Sequence, residues 1–156
     1  MLTKEEFARM AALHMDAVFR LAFSYLKNRA DADDVTQTAL LRLYETNKVF
    51  ESDAHVKHWL LRVTINECKR RWRSSWSRTE CLEDYVNELV FEERPYSDLF
   101  QAIMALDKKY RTVIVLYYYE GYALAEIATL LGIPQGTAGT RLRRAREQLK
   151  RYLLEV

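Results

Sequence analysis

At 156 residues, 49% of them apolar, the chain is long enough for one domain or two small ones with real cores, and four glycines and two prolines suit a helical protein. No apolar run reaches the length of a membrane span, and the opening stretch MLTKEEFARM is charged where a signal peptide would be apolar, so a cytoplasmic protein is expected. The net charge of +2 hides a pattern: residues 1–78 carry fourteen Lys/Arg against ten Asp/Glu, residues 79–98 carry Arg94 against seven acids, and residues 99–156 carry nine basic residues against five acids.

Thr3 and Glu6 form the S/T-x-x-E box of a helix start. From there Phe7, Met10, Ala11, His14, Val18, Leu21, Ala22, Tyr25 and Leu26 recur at helical spacing and mark an inner face. Asn28 and Arg29 break the pattern, and Asp31 is expected to cap a second helix with Val35, Ala39, Leu40 and Leu43 inside. NKVFESDAH reads as a loop. Asp53 is expected to cap a third helix whose inner stripe is Val56, Trp59, Leu60 and Val63, which assigns Trp59 to the core.

These helices make a first domain, residues 1–78. Residues 79–97 form an acidic linker containing Pro95. A second domain, residues 98–156, begins with short helices on Phe100, Ile103, Met104 and Leu106, then on Tyr110, Val113, Ile114 and Tyr117 up to Gly121. A third, on Leu124, Ile127, Ala128 and Leu131, is stopped by Gly132; Pro134 suits the first turn of a fourth, with Ala138, Leu142, Ala145, Leu149 and Leu153 as its buried stripe. The expected fold class is all-α: two small helical domains joined by an acidic linker, the C-terminal one a helix-turn-helix. Cys68 and Cys81 form no close pair, and with His55 and His58 they fit no zinc-finger spacing, so neither metal nor other cofactor is expected.

Residues 1–120 contain no glycine, yet Gly132, Gly136 and Gly139 crowd into GIPQGTAGTRLRRAREQLKRYL. A helix, a glycine turn and a second helix with exposed basic residues is the helix-turn-helix pattern: Ala128 allows close approach, Gly132 turns, and Ala138 packs back. A plain helical hairpin is the bland alternative. The charges favour nucleic acid, because Arg141, Arg143, Arg144, Arg146, Lys150 and Arg151 avoid the buried stripe against one acid, Glu147. The first turn, PQGT, offers Gln135, Thr137 and free backbone N–H groups to a phosphate, and a bare Gly136 lets the backbone lie close to it.

YALAEIATLLGIPQGTAGTRLRRAREQL resembles the promoter-reading C-terminal domain of bacterial sigma factors of the extracytoplasmic-function (ECF) group, within the sigma-70 superfamily. NRADADDVTQTALLRLY is similar to the segment by which that family grips core RNA polymerase, and WLLRVTINECKRRWR to its promoter-melting helix. The resemblance covers almost the whole chain, with the motifs in the family's order. It departs at Ala138, commonly valine, at Gly139, commonly basic, at Thr38, usually an acid, and at Leu40, often phenylalanine.

The resemblance implies a sigma factor with core RNA polymerase and promoter DNA as partners, an anti-sigma factor being a usual third, and no bond chemistry. Asp33, Asp34, Gln37 and Leu41 would hold the polymerase; the bland alternative for the acids is helix-dipole stabilisation. Asn66, Lys69, Arg70, Arg71 and Arg73, with Phe50 and its loop to Val56 as the pocket for a flipped base, would serve the minus-10 element. Gln135, Gly136, Thr137, Thr140, Arg141 and Arg144 would serve the minus-35 element. The acidic linker would occupy a nucleic-acid channel of the polymerase or act as a simple tether. The rivals are an ordinary helix-turn-helix regulator binding duplex DNA without polymerase; an enzyme, against which stands the lack of a phosphate loop, metal cluster or nucleophile motif; and a purely adaptor-like protein-binding role.

Overall fold

The computed structural model describes residues 1–74 and 97–155, and every regular element among them is helical. Of the expected linker, residues 79–96 lie outside the described residues, while Ser97 already belongs to the first helix of the second unit. The chain divides into two units, Met1–Arg78 and Thr79–Val156.

In the first unit, Thr3 starts α1 (Lys4–Leu26): its Oγ1 accepts from the Glu6 N–H at 3.1 Å, and Glu6 Oε1 accepts from the Thr3 N–H at 2.9 Å. The reciprocal pair satisfies two donors that a helix start leaves open. Lys27, at φ 52°, ends α1 in the left-handed region. That sharp stop lets Asn28 cap α2 (Arg29–Glu45) at once, its Oδ1 accepting from the Asp31 N–H at 2.8 Å. Asp31 is therefore a first-turn acid and not the expected cap. α3 (Asp53–Ser74) is capped in the same way one residue early, by Ser52, whose Oγ accepts from the His55 N–H at 3.1 Å. Asp53, released from capping, forms a two-pronged ion pair with Arg9 at 3.0 and 3.2 Å.

The three helices pack around Val18, Leu21 and Phe23 of α1, Ala32, Val35, Ala39 and Leu43 of α2, and Leu60, Leu61 and Ile65 of α3. The buried face of α3 is turned relative to the expectation. Trp59 and Val63 are only half-buried, while Leu61, Thr64, Ile65 and Cys68 are fully enclosed. Both α1 and α2 pack on α3, so its buried face is broader than a single 3–4 stripe. Leu40 is likewise half-buried.

In the second unit, α4 (Ser97–Ala105) leads into α5 (Lys108–Ile114), which runs on through a π-helical turn (Val115–Tyr119). Arg111 is buried between them and donates from Nη1 to the Leu106 carbonyl at 2.6 Å; burial lowers its pKa to about 10, still charged at neutral pH. α6 (Leu124–Leu131) and α7 (Gln135–Glu155) complete the unit, with α4, α5 and α6 all packing on α7. Ala138, Leu142 and Ala145 are buried as expected, but the stripe fades along α7: Leu149 is half-buried and Leu153 is 40% exposed. Pro134 sits one residue before α7 and accepts from the Ala138 N–H at 3.1 Å.

Candidate nucleic-acid interface

The turn between α6 and α7 rests on Gly132, which takes φ 68° and ψ 38°, a conformation that costs a side-chain-bearing residue about 1 kcal/mol or more. There the Gly132 N–H reaches the Thr129 carbonyl at 3.3 Å and the Ile133 N–H the Ala128 carbonyl at 3.0 Å, closing α6. Ala128 and Ala138 are both buried, so the two helices cross with small residues in the core. The crossing leaves the first turn of α7 outside, with Gln135 and Gly136 exposed and Thr137 and Thr140 partly so.

A shallow concavity of about 590 Å³ opens beside that turn, lined by Lys109, Tyr110, Pro134, Gly136, Thr137, Thr140, Arg141 and Arg144. All but one of the residues expected to serve the minus-35 element line it; Gln135 stands exposed at the same helix end. Lys109 and Tyr110 come from the start of α5 and are additions that sequence reasoning missed. No Cβ built on Gly136 would meet any atom within 4 Å, so nothing inside the protein demands glycine there. A Cβ on Gly139 would meet only Leu124 Cδ1 at 3.8 Å, an ordinary contact.

The other basic residues of α7 divide by partner. Arg143 pairs with Glu147 at 3.4 Å. Arg146 donates to the Tyr118 hydroxyl at 2.5 Å and stacks at 5.4 and 5.5 Å from the rings of Tyr117 and Tyr118. The π-helical turn that presents these tyrosines is a register change that no sequence period marks. Arg146 thus braces the fold, while Arg141 and Arg144 face the concavity.

In the first unit, Asp33, Asp34, Gln37 and Leu41 are all exposed on α2, at steps that place them on one face. Leu41 is 55% exposed, an apolar side chain in open solvent among acids and an amide. Asp34 also lies 3.8 Å from Arg71 of α3, so a residue of this face touches one expected to serve DNA.

On α3, Asn66, Lys69 and Arg70 are exposed, and Arg71 keeps a side chain 25% exposed. Trp59 and Asn66 are seven apart, two helical turns, and so share a face of α3; Arg62, four before Asn66, lies on the same face and was not among the expected residues. The side chain of Arg73 lies outside the described residues. Phe50 is placed against α3, edge-on to Trp59 at 5.6 Å and to His55 at 5.2 Å. The loop expected from Phe50 to Val56 is shorter than anticipated, because α3 already begins at Asp53. Trp59 is an aromatic wall behind Phe50 rather than a core residue. His55 Nδ1 accepts from the Glu51 N–H at 3.0 Å, which commits that histidine to the loop. Among the described residues no group of three or more His, Cys, Asp and Glu side chains could hold a metal ion, and no helix is long and apolar enough to cross a membrane.

The chain matches the sigma-70 region 2 family over residues 10–78 and the sigma-70 region 4 family over residues 96–149. It is 30% identical to the ECF RNA polymerase sigma factor SigW of Bacillus subtilis, spanning 98% of this chain and 91% of that one. To SigM of Mycobacterium tuberculosis, another ECF sigma factor, it is 32% identical over 94% of this chain and 76% of the relative. The sigma factor RpoE of Bartonella quintana, solved with the anti-sigma factor NepR, shares the fold with a TM-score of 0.77 at 23% identity, over 96% of this chain and 97% of the other. Matches to both domains, in order and over nearly the full length of SigW, set aside the ordinary helix-turn-helix regulator. The chain is a member of the ECF group of sigma-70 RNA polymerase sigma factors.

Proposed function

We propose that the chain directs core RNA polymerase to promoters by dividing three contacts between its two domains. The first domain, residues 1–78, grips the polymerase through Asp33, Asp34, Gln37 and Leu41 of α2. The same domain holds opened minus-10 DNA through Asn66, Lys69, Arg70, Arg71 and Arg73, with Phe50 bordering the pocket for a flipped base. The second domain, residues 98–156, binds duplex minus-35 DNA with the first turn and basic face of α7. Residues 79–97 tether the two.

The observation that carries this reading is the concavity at the start of α7, where Lys109, Arg141 and Arg144 surround a helix N-terminus. A helix N-terminus ringed by cations suits a phosphate, and the adjoining polar first turn suits base edges. The relatives are sigma factors rather than enzymes, and no bond chemistry is assigned to any residue. The Bartonella quintana RpoE was solved with an anti-sigma factor, and a partner of that class belongs to the proposal. Such a protein works in the cytoplasm, where polymerase and promoters are. Adding the chain to core polymerase with genomic fragments tests the reading: new transcripts with defined starts support it, and duplex binding without transcripts opposes it.

A further inference from the structure

Glu67 is the sole acid between Asp53 and Glu80 in the sequence. It follows Asn66 directly on α3, yet its side chain is only 3% exposed, while the helix around it is basic. A carboxylate so enclosed is costly unless paired and hydrogen-bonded. Three guanidinium groups meet it. Arg42 reaches from α2 to Oε2 at 3.3 Å; Arg70 bonds to both oxygens, through Nε to Oε2 at 3.3 Å and through Nη2 to Oε1; Arg71 Nε lies 3.9 Å from Oε1. The hydrogen bonds from Arg70, opposed by burial and reinforced by the charges of Arg70, Arg42 and Arg71, hold the Glu67 carboxyl below its usual pKa, so it stays ionised.

The geometry of Arg70 distinguishes this cluster from an internal tie. Its head group is fastened to the buried acid, but the side chain remains 60% exposed. A surface arginine without an anchor samples many rotamers and loses that freedom when it binds; one fastened beforehand loses less. Arg71 lies at ion-pair distance from two acids, Glu67 at 3.9 Å and Asp34 at 3.8 Å, both beyond hydrogen-bond range, so its orientation is set by charge and by burial rather than by a bond to Glu67. Three arginines surround the one acid, so the cluster keeps a net positive charge toward a nucleic-acid strand.

We propose that Glu67 is a positioning residue that orders Arg70 and Arg71 on α3 in advance for the DNA strand held during promoter opening. The inference rests on the reading of α3 as the melting helix. The competing role is purely structural, a link between α2 and α3 through Arg42.

The test uses the full chain assembled with core polymerase. Glu67→Gln keeps the shape and removes the charge. Loss of two pre-ordered side chains should reduce permanganate-detected opening of a duplex promoter roughly tenfold. Polymerase binding and transcription from a template already mismatched across the minus-10 region should stay near the parent level. In a background already carrying Arg70→Ala and Arg71→Ala, Glu67→Gln should cause no further loss of opening. Arg42→Ala, which cuts only the link to α2, should leave opening near the parent level; it also keeps the question answerable if Glu67→Gln folds poorly.

Three results would overturn the inference. One is undiminished opening by a folded Glu67→Gln protein. Another is a Glu67→Gln defect that persists in the double-alanine background. The third is an Arg42→Ala defect as large as that of Glu67→Gln, which would assign the acid to packing alone. If the Arg70→Ala, Arg71→Ala protein itself opens duplex promoters normally, the reading of α3 fails and takes this inference with it.

Discussion

Replacing Lys109, Arg141 and Arg144 together with alanine removes the cations that line the concavity at the start of α7. Lys109 and Arg144 are exposed, Arg141 is half-buried, and none belongs to the core, so the variant should keep its helical content. If each cation neutralises one phosphate, each contributes about 0.9 to the slope of log K against log salt, and the triple variant should lose about 2.7. Between 50 and 200 mM salt the fourfold change in concentration, raised to that power, closes the gap between parent and variant by about fortyfold. A salt series of holoenzyme binding to a labelled promoter fragment, chosen from fragments the parent holoenzyme transcribes, gives the slope directly. If Arg141 or Arg144 reads a base instead, the slope should change less, and the loss of about 1–3 kcal/mol should fall on one base position. A triple variant with the parent's slope and affinity would refute the assignment of this surface to DNA.

Gln37→Ala with Leu41→Ala should abolish co-purification with core polymerase while leaving the chain folded, since both side chains are exposed; this pair is cleaner than a change at Asp34, which would also disturb Arg71. Gly136→Ala should raise thermal stability by up to about 1 kcal/mol, because nothing lies within 4 Å of the added Cβ, yet weaken promoter binding if the DNA backbone lies against that residue. His14 is buried, and burial first, then Lys57, lowers its pKa from 6.5, while Asp53 opposes the shift. The unfolded chain therefore binds that proton more readily, and the stabilisation is present above pH 6.5 and lost as pH falls through the lowered folded value. Melting curves across that window should fall less steeply for His14→Met than for the parent.

Most of the fold was legible because its signals are local. The Thr3–Glu6 box, the turn at Gly132 and the spacing of Ala138, Leu142 and Ala145 each need only neighbours in sequence. The two cap errors are local, Asn28 and Ser52 taking the places expected for Asp31 and Asp53, while the other errors lie where a distant residue decides. The partner that Asp53 takes instead, Arg9, is 44 residues away. Trp59 fits a helical stripe, yet which of its sides faces inward depends on how α1 and α2 both seat on α3. The π-helical turn shifts the register of Tyr117 and Tyr118 toward Arg146, and hydrophobic period carries no sign of it. The interface was legible in the same uneven way. Gln135 through Arg144 could be read along one helix, whereas Lys109 joins them only through the packing of α5 on α7. That Glu67 is enclosed by Arg42, Arg70 and Arg71 follows from the meeting of two helices, although a lone acid inside a basic run was a visible hint.

The central claim is that the two domains carry separate steps, and one paired experiment tests it most directly. Holoenzymes carrying Asn66→Ala, or Arg141→Ala with Arg144→Ala, are compared by upstream footprint and by permanganate reactivity, on duplex and on pre-melted templates. Asn66→Ala should keep the upstream footprint and lose the bubble, and a pre-melted template should restore part of its transcription, because unstacking a base costs on the order of a few kcal/mol. The arginine pair should lose the upstream footprint, and pre-melting should not bring it back. If Asn66→Ala opens duplex DNA like the parent, or if both variants lose the same step, the division of labour is contradicted.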